Sequence, residues 1–451
     1  MITKEGLNTL LNLTIEANAP TFIIYTDSKS ERLNFVCEFI FNTVLKVNYN
    51  LTDVISEFEA STNFKINYSK KNIDSVFKIK PHSLLFETNI TEQKPIPFFK
   101  NELIYFYENI TGDLNFDIFS SVFYLISRVE EWQSFQADEH QRFEANNSIL
   151  AKHNFNLKPV VELWIETLKI QIKKKYSSII FPKKKFKIIS TIDVDNLFAF
   201  KNKGFVRTMG AIGKDIVKLN FKNLTSRINV LMGKQPDPFD IYESISEFCL
   251  QKNIPLIYFF LFKTGTKYDR TVNPTSTAFT KIFKTVLNKH AIIGLHPSYN
   301  SSVNQNILEK ETLNFSKSIT KKVIISRQHY LRFNIRTTPN QLLKNGIIAD
   351  FTMGFASQIG FRAGTSQPFY YYDFSVEKKS ELLFVPFCAM DGAYFVYNKI
   401  TPREALDSLM KMAKEVKKVN GLFISVFHER TFYNDLYNGF GDVYKTLHLN
   451  N

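Results

Sequence analysis

Short apolar runs and longer amphipathic stretches alternate along the second half of the chain. The runs are KIIST (187–191), PLIYFFLF (255–262), AIIGL (291–295), KVIIS (322–326), GIIAD (346–350), ELLFVPF (381–387) and GLFISVF (421–427). Each has the length of a strand, and the stretches between them have the length of helices. Near-continuous apolar strands of this kind are buried on both faces, as in parallel sheets. The pattern predicts an α/β fold, a distorted (β/α) barrel over residues 185–451; a doubly wound open sheet would write a similar pattern.

The first half is mixed. TFIIYT (21–26) and ELIYFY (102–107) read as buried strands, whereas FDIFSSVFYLISRVEEW (116–132) and PVVELWIETLKIQIKKK (159–175) carry helical spacing. Between the halves, IKKKYSSIIFPKKKFK (172–187) sets seven lysines around one proline, the composition of an exposed connection. This seam divides a smaller N-terminal α/β domain, residues 1–180, from the barrel. Within the second half, IGKDIVKLNFKNLTSRINVLMGK (212–234) reads as a basic amphipathic helix. It is either an ordinary surface helix or an element that meets anionic lipid or nucleic acid.

Composition narrows the class. With 44% hydrophobic residues, 44 Phe and 20 Tyr but only 16 Gly and 15 Pro in 451 residues, the chain can bury a large core, which excludes a disordered polypeptide. The longest apolar stretch, 254–262, is too short for a membrane span, and the first residues lack the pattern of a signal peptide. Cys37, Cys249 and Cys388 are widely spaced and read as buried thiols in a reducing compartment, so the expectation is a soluble cytoplasmic protein. The net charge of +14 fits a solvated basic surface, with weak association to anionic surfaces as an alternative; no nucleic-acid motif accompanies it.

In a βα barrel, chemistry sits at the carboxyl ends of the strands. KIIST leads into Asp193-Val194-Asp195, and strand alternation points both carboxylates the same way. Such a pair calls for a metal, a cationic partner or a shared proton, unless it is solvated and caps the next helix. His296, His329 and His428 each follow an apolar run, with Asn300 four residues after His296. Arg362 lies on a turn among small residues, placed to orient a carboxylate or to make a surface pair; Asp391 follows the ELLFVPF run as a site acid or a simple turn. Phe369, Tyr370, Tyr371 and Tyr372 either present aromatic faces at the rim or pack in the core.

At these residues the second half resembles the NodB-type polysaccharide deacetylases, carbohydrate esterase family four. That resemblance implies a distorted barrel that removes acetyl groups from acetylated saccharides by metal-assisted water attack. It assigns Asp193 as base, Asp195 and His296 as metal ligands, Arg362 as the partner of the base, Asp391 as the orienter of the catalytic histidine, and His428 as the acid. The family's second metal-binding histidine is replaced here by Asn300, so His329, Asn300 or water would complete the site around a divalent metal, zinc by default. Loss of that ligand admits an alternative: an inactive carbohydrate-binding or scaffold protein on the same fold. The segment 127–164 is similar to an uncharacterised domain that precedes such modules in bacterial proteins.

Overall fold

The computed structural model describes residues 2–451. Residues 21–26 form β1, which pairs in parallel with β2 (Asn48–Thr52) and β3 (Phe64–Tyr68); β4 (Phe77–Lys78) extends this small sheet in the order β2-β1-β3-β4. A hairpin follows, β5 (Phe98–Lys100) with β6 (Leu103–Tyr105). The helix expected over 116–132 breaks. It runs Ile118–Ile126, stops where Arg128 adopts φ +59°, and resumes as a single turn, Val129–Trp132.

The second half supplies a nine-stranded sheet. Its strands are β7 (Lys187–Val194), β8 (Leu256–Leu261), β9 (Ile292–His296), β10 (Ile325–Ser326), β11 (Ala349–Asp350), β12 (Phe369–Asp373), β13 (Lys378–Phe384), β14 (Ala389–Met390) and β15 (Leu422–His428). The spatial order is β12-β13-β11-β10-β9-β8-β7-β15-β14, parallel throughout except for the β12–β13 pair. Strands β7 to β11 step in one direction, and β15 returns to the free side of β7, which is a barrel-like winding and not that of a doubly wound sheet. Among the described residues β12 and β14 do not pair, so the sheet is a curled half-barrel with two free edges. The aromatic run 369–372 is strand β12, with Phe369, Tyr371 and Tyr372 buried; it packs in the core and does not line the rim.

Alternation sorts side chains to two sides of this sheet. Ile189, Ile257, Phe259, Ile325, Phe351, Ile424 and Val426 fill the concave interior, while Ile192, Val194, Tyr258 and Phe260 join the core beneath the helices. The helix Lys4–Leu10 adds Leu7 and Leu10 to the interior cluster, and the Leu10 carbonyl accepts a bond from Lys187 Nζ at 2.7 Å. Since Lys187 opens β7, this helix closes the amino ends of the strands, opposite the mouth.

The two halves share one apolar core. Phe35 and Phe123 pack on Tyr372, and Trp132 stacks on Tyr371. Buried polar contacts cross the same boundary: Glu131 with Arg362 (2.6 and 2.8 Å), and Glu162 with the amide and hydroxyl of Ser366 (2.7 and 2.6 Å).

Candidate metal and acid–base site

The inward parity of β7 that buries Ile189 carries on through Thr191 and Asp193 to Asp195. The same parity on β15 runs from Ile424 and Val426 to His428, on β9 from Gly294 to His296, and past β10 from Ile325 to Arg327. Five chemically active side chains therefore reach one mouth because each continues the interior face of its own strand.

Asp195, His296 and His329 form one cluster. Their ligand atoms lie within 4.8 Å of one another, with Asp195 Oδ1 at 3.4 Å from His296 Nε2 and 3.5 Å from His329 Nε2. His296 Nδ1 donates to the Arg327 carbonyl (2.5 Å) and His329 Nδ1 to Asp269 Oδ1 (3.0 Å). With both Nδ1 positions occupied as donors, Nε2 is the atom of each ring that faces Asp195, and in the neutral ring it carries the lone pair. Asp195 Oδ1 is buried and accepts no hydrogen bond. An orphaned carboxylate oxygen between two imidazole lone pairs fits a divalent cation, and N/O donors of this kind suit zinc or another borderline ion.

Asp195 Oδ2 instead pairs with Arg430 at 2.5 Å, and the backbone amides of Asp195 and Asn196 donate to Glu429. Burial disfavours the charged Asp195 carboxylate, but Arg430 and the neighbouring histidines outweigh it and hold its pKa well below the usual range. Burial likewise opposes charge on His296; Asp193 and Asp195 overcome it and raise the imidazole pKa.

Asp193 is held by an arginine, though not by the one expected. Arg327 Nη1 donates to Asp193 Oδ1 (2.7 Å) and Thr191 Oγ1 (2.8 Å), its Nε to the Phe351 carbonyl (2.9 Å), and its plane lies over Phe259. Asp193 Oδ2 remains on the His296 side, 3.9 Å from Nε2. Arg362 is buried and bonded to Glu131 and the Gly354 carbonyl, whereas the arginine that bonds Asp193 is Arg327. Arg327, just past β10, reaches Asp193 across the interior of the curl on its long stem, and Arg362 is already claimed by Glu131.

Beside Asp193, on the adjacent strand β15, His428 Nδ1 and the His428 amide both bond Asp391 at 2.7 Å, and Thr431 donates to the same carboxylate. Burial lowers the His428 pKa, but Asp391 reverses the sign and raises it to about 9, so the ring is cationic at neutral pH. Its Nε2 faces Asp195 Oδ2 at 3.9 Å. Asp391 itself is held below the normal carboxylate range, burial being outweighed by His428.

Asn300 is exposed on the turn after His296 and stands outside the Asp195–His296–His329 cluster. His329 takes the corner that the sequence left open, just before Tyr330 and Leu331, which sit at φ +60° and +53°. Two consecutive left-handed residues without glycine mark local strain of the kind that fixes site geometry. Asp269 and Arg430 had no signal beyond lying in loops past β8 and β15.

These groups line a cavity of about 490 Å³. The first half contributes Arg142 to its wall, which reaches the Tyr330 carbonyl and the Tyr397 hydroxyl (3.1 Å each); behind the wall His140 bonds Tyr299 at 3.0 Å. Tyr268 and Tyr299 stack at 3.9 Å with Tyr330 edge-on, giving an aromatic flank beside the histidines.

A model described as a family of unknown function, DUF7033, matches residues 22–177. No curated protein matches the chain. Among solved structures, the chain is similar to a protein from Mycobacterium smegmatis assigned as a polysaccharide deacetylase (12% identity, 60% of this chain and 86% of that one, TM-score 0.38). It is also similar to a polysaccharide deacetylase from Bacillus cereus (10% identity, 59% and 86%, TM-score 0.29). A third is a mutant of a CE4 family pseudoenzyme with restored enzymatic activity (9% identity, 58% and 64%, TM-score 0.28). The family model thus falls on the first half of the chain, and the solved structures extend over about three fifths of it.

Proposed function

We propose that this chain is a metal-dependent deacetylase acting on acetylated saccharides. The observation that carries the reading is the convergence of Asp195, His296 and His329 on one point, with an unpartnered Asp195 oxygen, between a fixed carboxylate and a cationic imidazole. The resemblance of the strand-end motifs to NodB-type deacetylases supplies the substrate class.

A divalent cation held by Asp195, His296 and His329 would polarise an acyl carbonyl and acidify a nearby water. Asp193, locked in position by Arg327 and Thr191, accepts the proton of that water as its oxygen bonds to the carbonyl carbon. His428, oriented and charged by Asp391, donates its Nε2 proton to the departing amine or alkoxide as the carbon–heteroatom bond breaks. Products are acetate and the free amino or hydroxyl sugar. Tyr268, backed by the stacked Tyr299, and Tyr330 line the cavity and offer faces for a pyranose.

The test measures bound metal in protein purified without added ions, together with acetate release from N- and O-acetylated oligosaccharides. Stoichiometric metal with acetate release supports the reading. Saccharide binding without acetate release supports the alternative, a non-catalytic carbohydrate-binding protein on this fold, and absence of both rejects the site.

A further inference from the structure

The segment expected as one basic helix is a hairpin of two, Phe205–Val217 and Phe221–Leu231. Its apolar positions face the wrong way for a core. Phe205, Met209 and Ile216 recur at helical spacing on one side of the first helix, flanked by Val206 and Val217, and all five are exposed, Phe205 at 79% and Val217 at 84%. Phe221, Leu231 and Met232 continue this exposed surface on the second helix. The hairpin is joined by polar groups instead: Asp215 takes bonds from Arg227 (2.9 Å) and Asn223 (2.8 Å), and Arg227 stacks on Phe200.

Charge identifies what covers the apolar surface. From Lys201 to Lys234 the chain carries eight lysines and arginines and a single carboxylate, Asp215, which is buried and paired. Arg207, Lys214, Lys218 and Lys234 are exposed without an acidic partner. A second copy of the hairpin would set cations against cations, and a nucleic acid would leave the outward apolar side chains without a complement. An exposed apolar stripe bordered by cations fits the headgroup region of an anionic bilayer. No helix among the described residues is long and apolar enough to cross a membrane, so the hairpin lies on the surface.

We propose that the hairpin 205–232 docks this protein on anionic lipid. A groove beside it, lined by Lys203, Arg207, Asn196 and Arg270, joins the main cavity through the last two residues, so docking brings the mouth to the membrane surface. The proposal stands without the deacetylase reading, since it concerns other residues and another readout.

The test is co-sedimentation of the full chain with vesicles of phosphatidylcholine alone and of phosphatidylcholine mixed in equal parts with phosphatidylglycerol. Binding is expected to the mixed vesicles only, and to fall as salt rises. The triple variant Phe205→Ser/Val206→Ser/Val217→Ser and the double variant Lys214→Glu/Lys218→Glu should each weaken it about tenfold or more. Because these side chains are exposed, both variants should keep the parent melting temperature and metal content. Equal binding to both vesicle types, no binding to either, or unchanged binding by folded variants would overturn the proposal. Dimerisation of the parent chain that the triple variant abolishes would overturn it too.

Discussion

At the residue scale the proposed mechanism gives two neighbouring aspartates different tasks, and substitution separates them. Asp193→Asn keeps the Asp195–His296–His329 cluster and should retain metal while turnover falls by roughly 10²–10⁴, the usual worth of a positioned base. Asp195→Asn and His329→Gln remove a corner of the cluster, and metal analysis should show the ion lost together with activity. His428 adds a pH signature. Its pKa of about 9 lies above the ordinary ~6.5 for an imidazole, so the Asp391 pair stabilises the fold fully below that lower value and loses its contribution as pH rises through the upper one. Asp391→Asn should bring the His428 titration back toward neutrality, visible by NMR, and move the alkaline limb of the pH–rate profile to lower pH. Asp193, Asp195, His296 and His428 were legible because a strand's parity and its end are written in the sequence. Arg327 was not, although it adjoins a recognised histidine run, since an arginine's partner depends on which acid lies within reach in space. Asp269 stood in a loop with no periodicity to mark it.

Elements explain both the successes and the misses. The strands of the half-barrel were readable as apolar runs because they are covered on both faces. The edge strand β12 was not, as five consecutive residues rich in tyrosine carry no strict alternation and pair antiparallel, against the trend of the sheet. The interruption at Arg128 escaped periodicity as well: apolar spacing continues across it, while the guanidinium bonds back to the Leu125 carbonyl and to Glu131. Inside the curl, Gly294 of β9 is demanded by packing. A Cβ there would come within 2.5 Å of the Phe259 ring and 3.0 Å of Ile325. Gly294→Ala should therefore cost about 1–3 kcal/mol in denaturant unfolding, and because His296 is two residues on, it should also weaken metal retention.

For the whole molecule, the first half is part of the site's support. Glu131 lies between Arg362 and Arg128 deep between the halves, and Arg362→Met would leave that buried carboxylate with Arg128 alone, costing about 2–3 kcal/mol by chemical denaturation. Arg142 carries this dependence into the cavity wall, with His140 behind it. The lysine-rich stretch 172–187 reads as an exposed connection, yet it begins as the end of the helix Val160–Lys175 and buries Ile172, Ile179 and Phe181; charge composition describes a surface and says nothing of what is buried beside it. The helix Lys4–Leu10 carries the point further. Its leucines share a cluster with Leu422 and Ile424 of β15, roughly 400 residues away, so the floor of the barrel unites two segments that lie far apart along the chain. Until β15 is in place those leucines lack their native cover, and refolding should be slow, with its rate set by this long-range closure and not by the local helices.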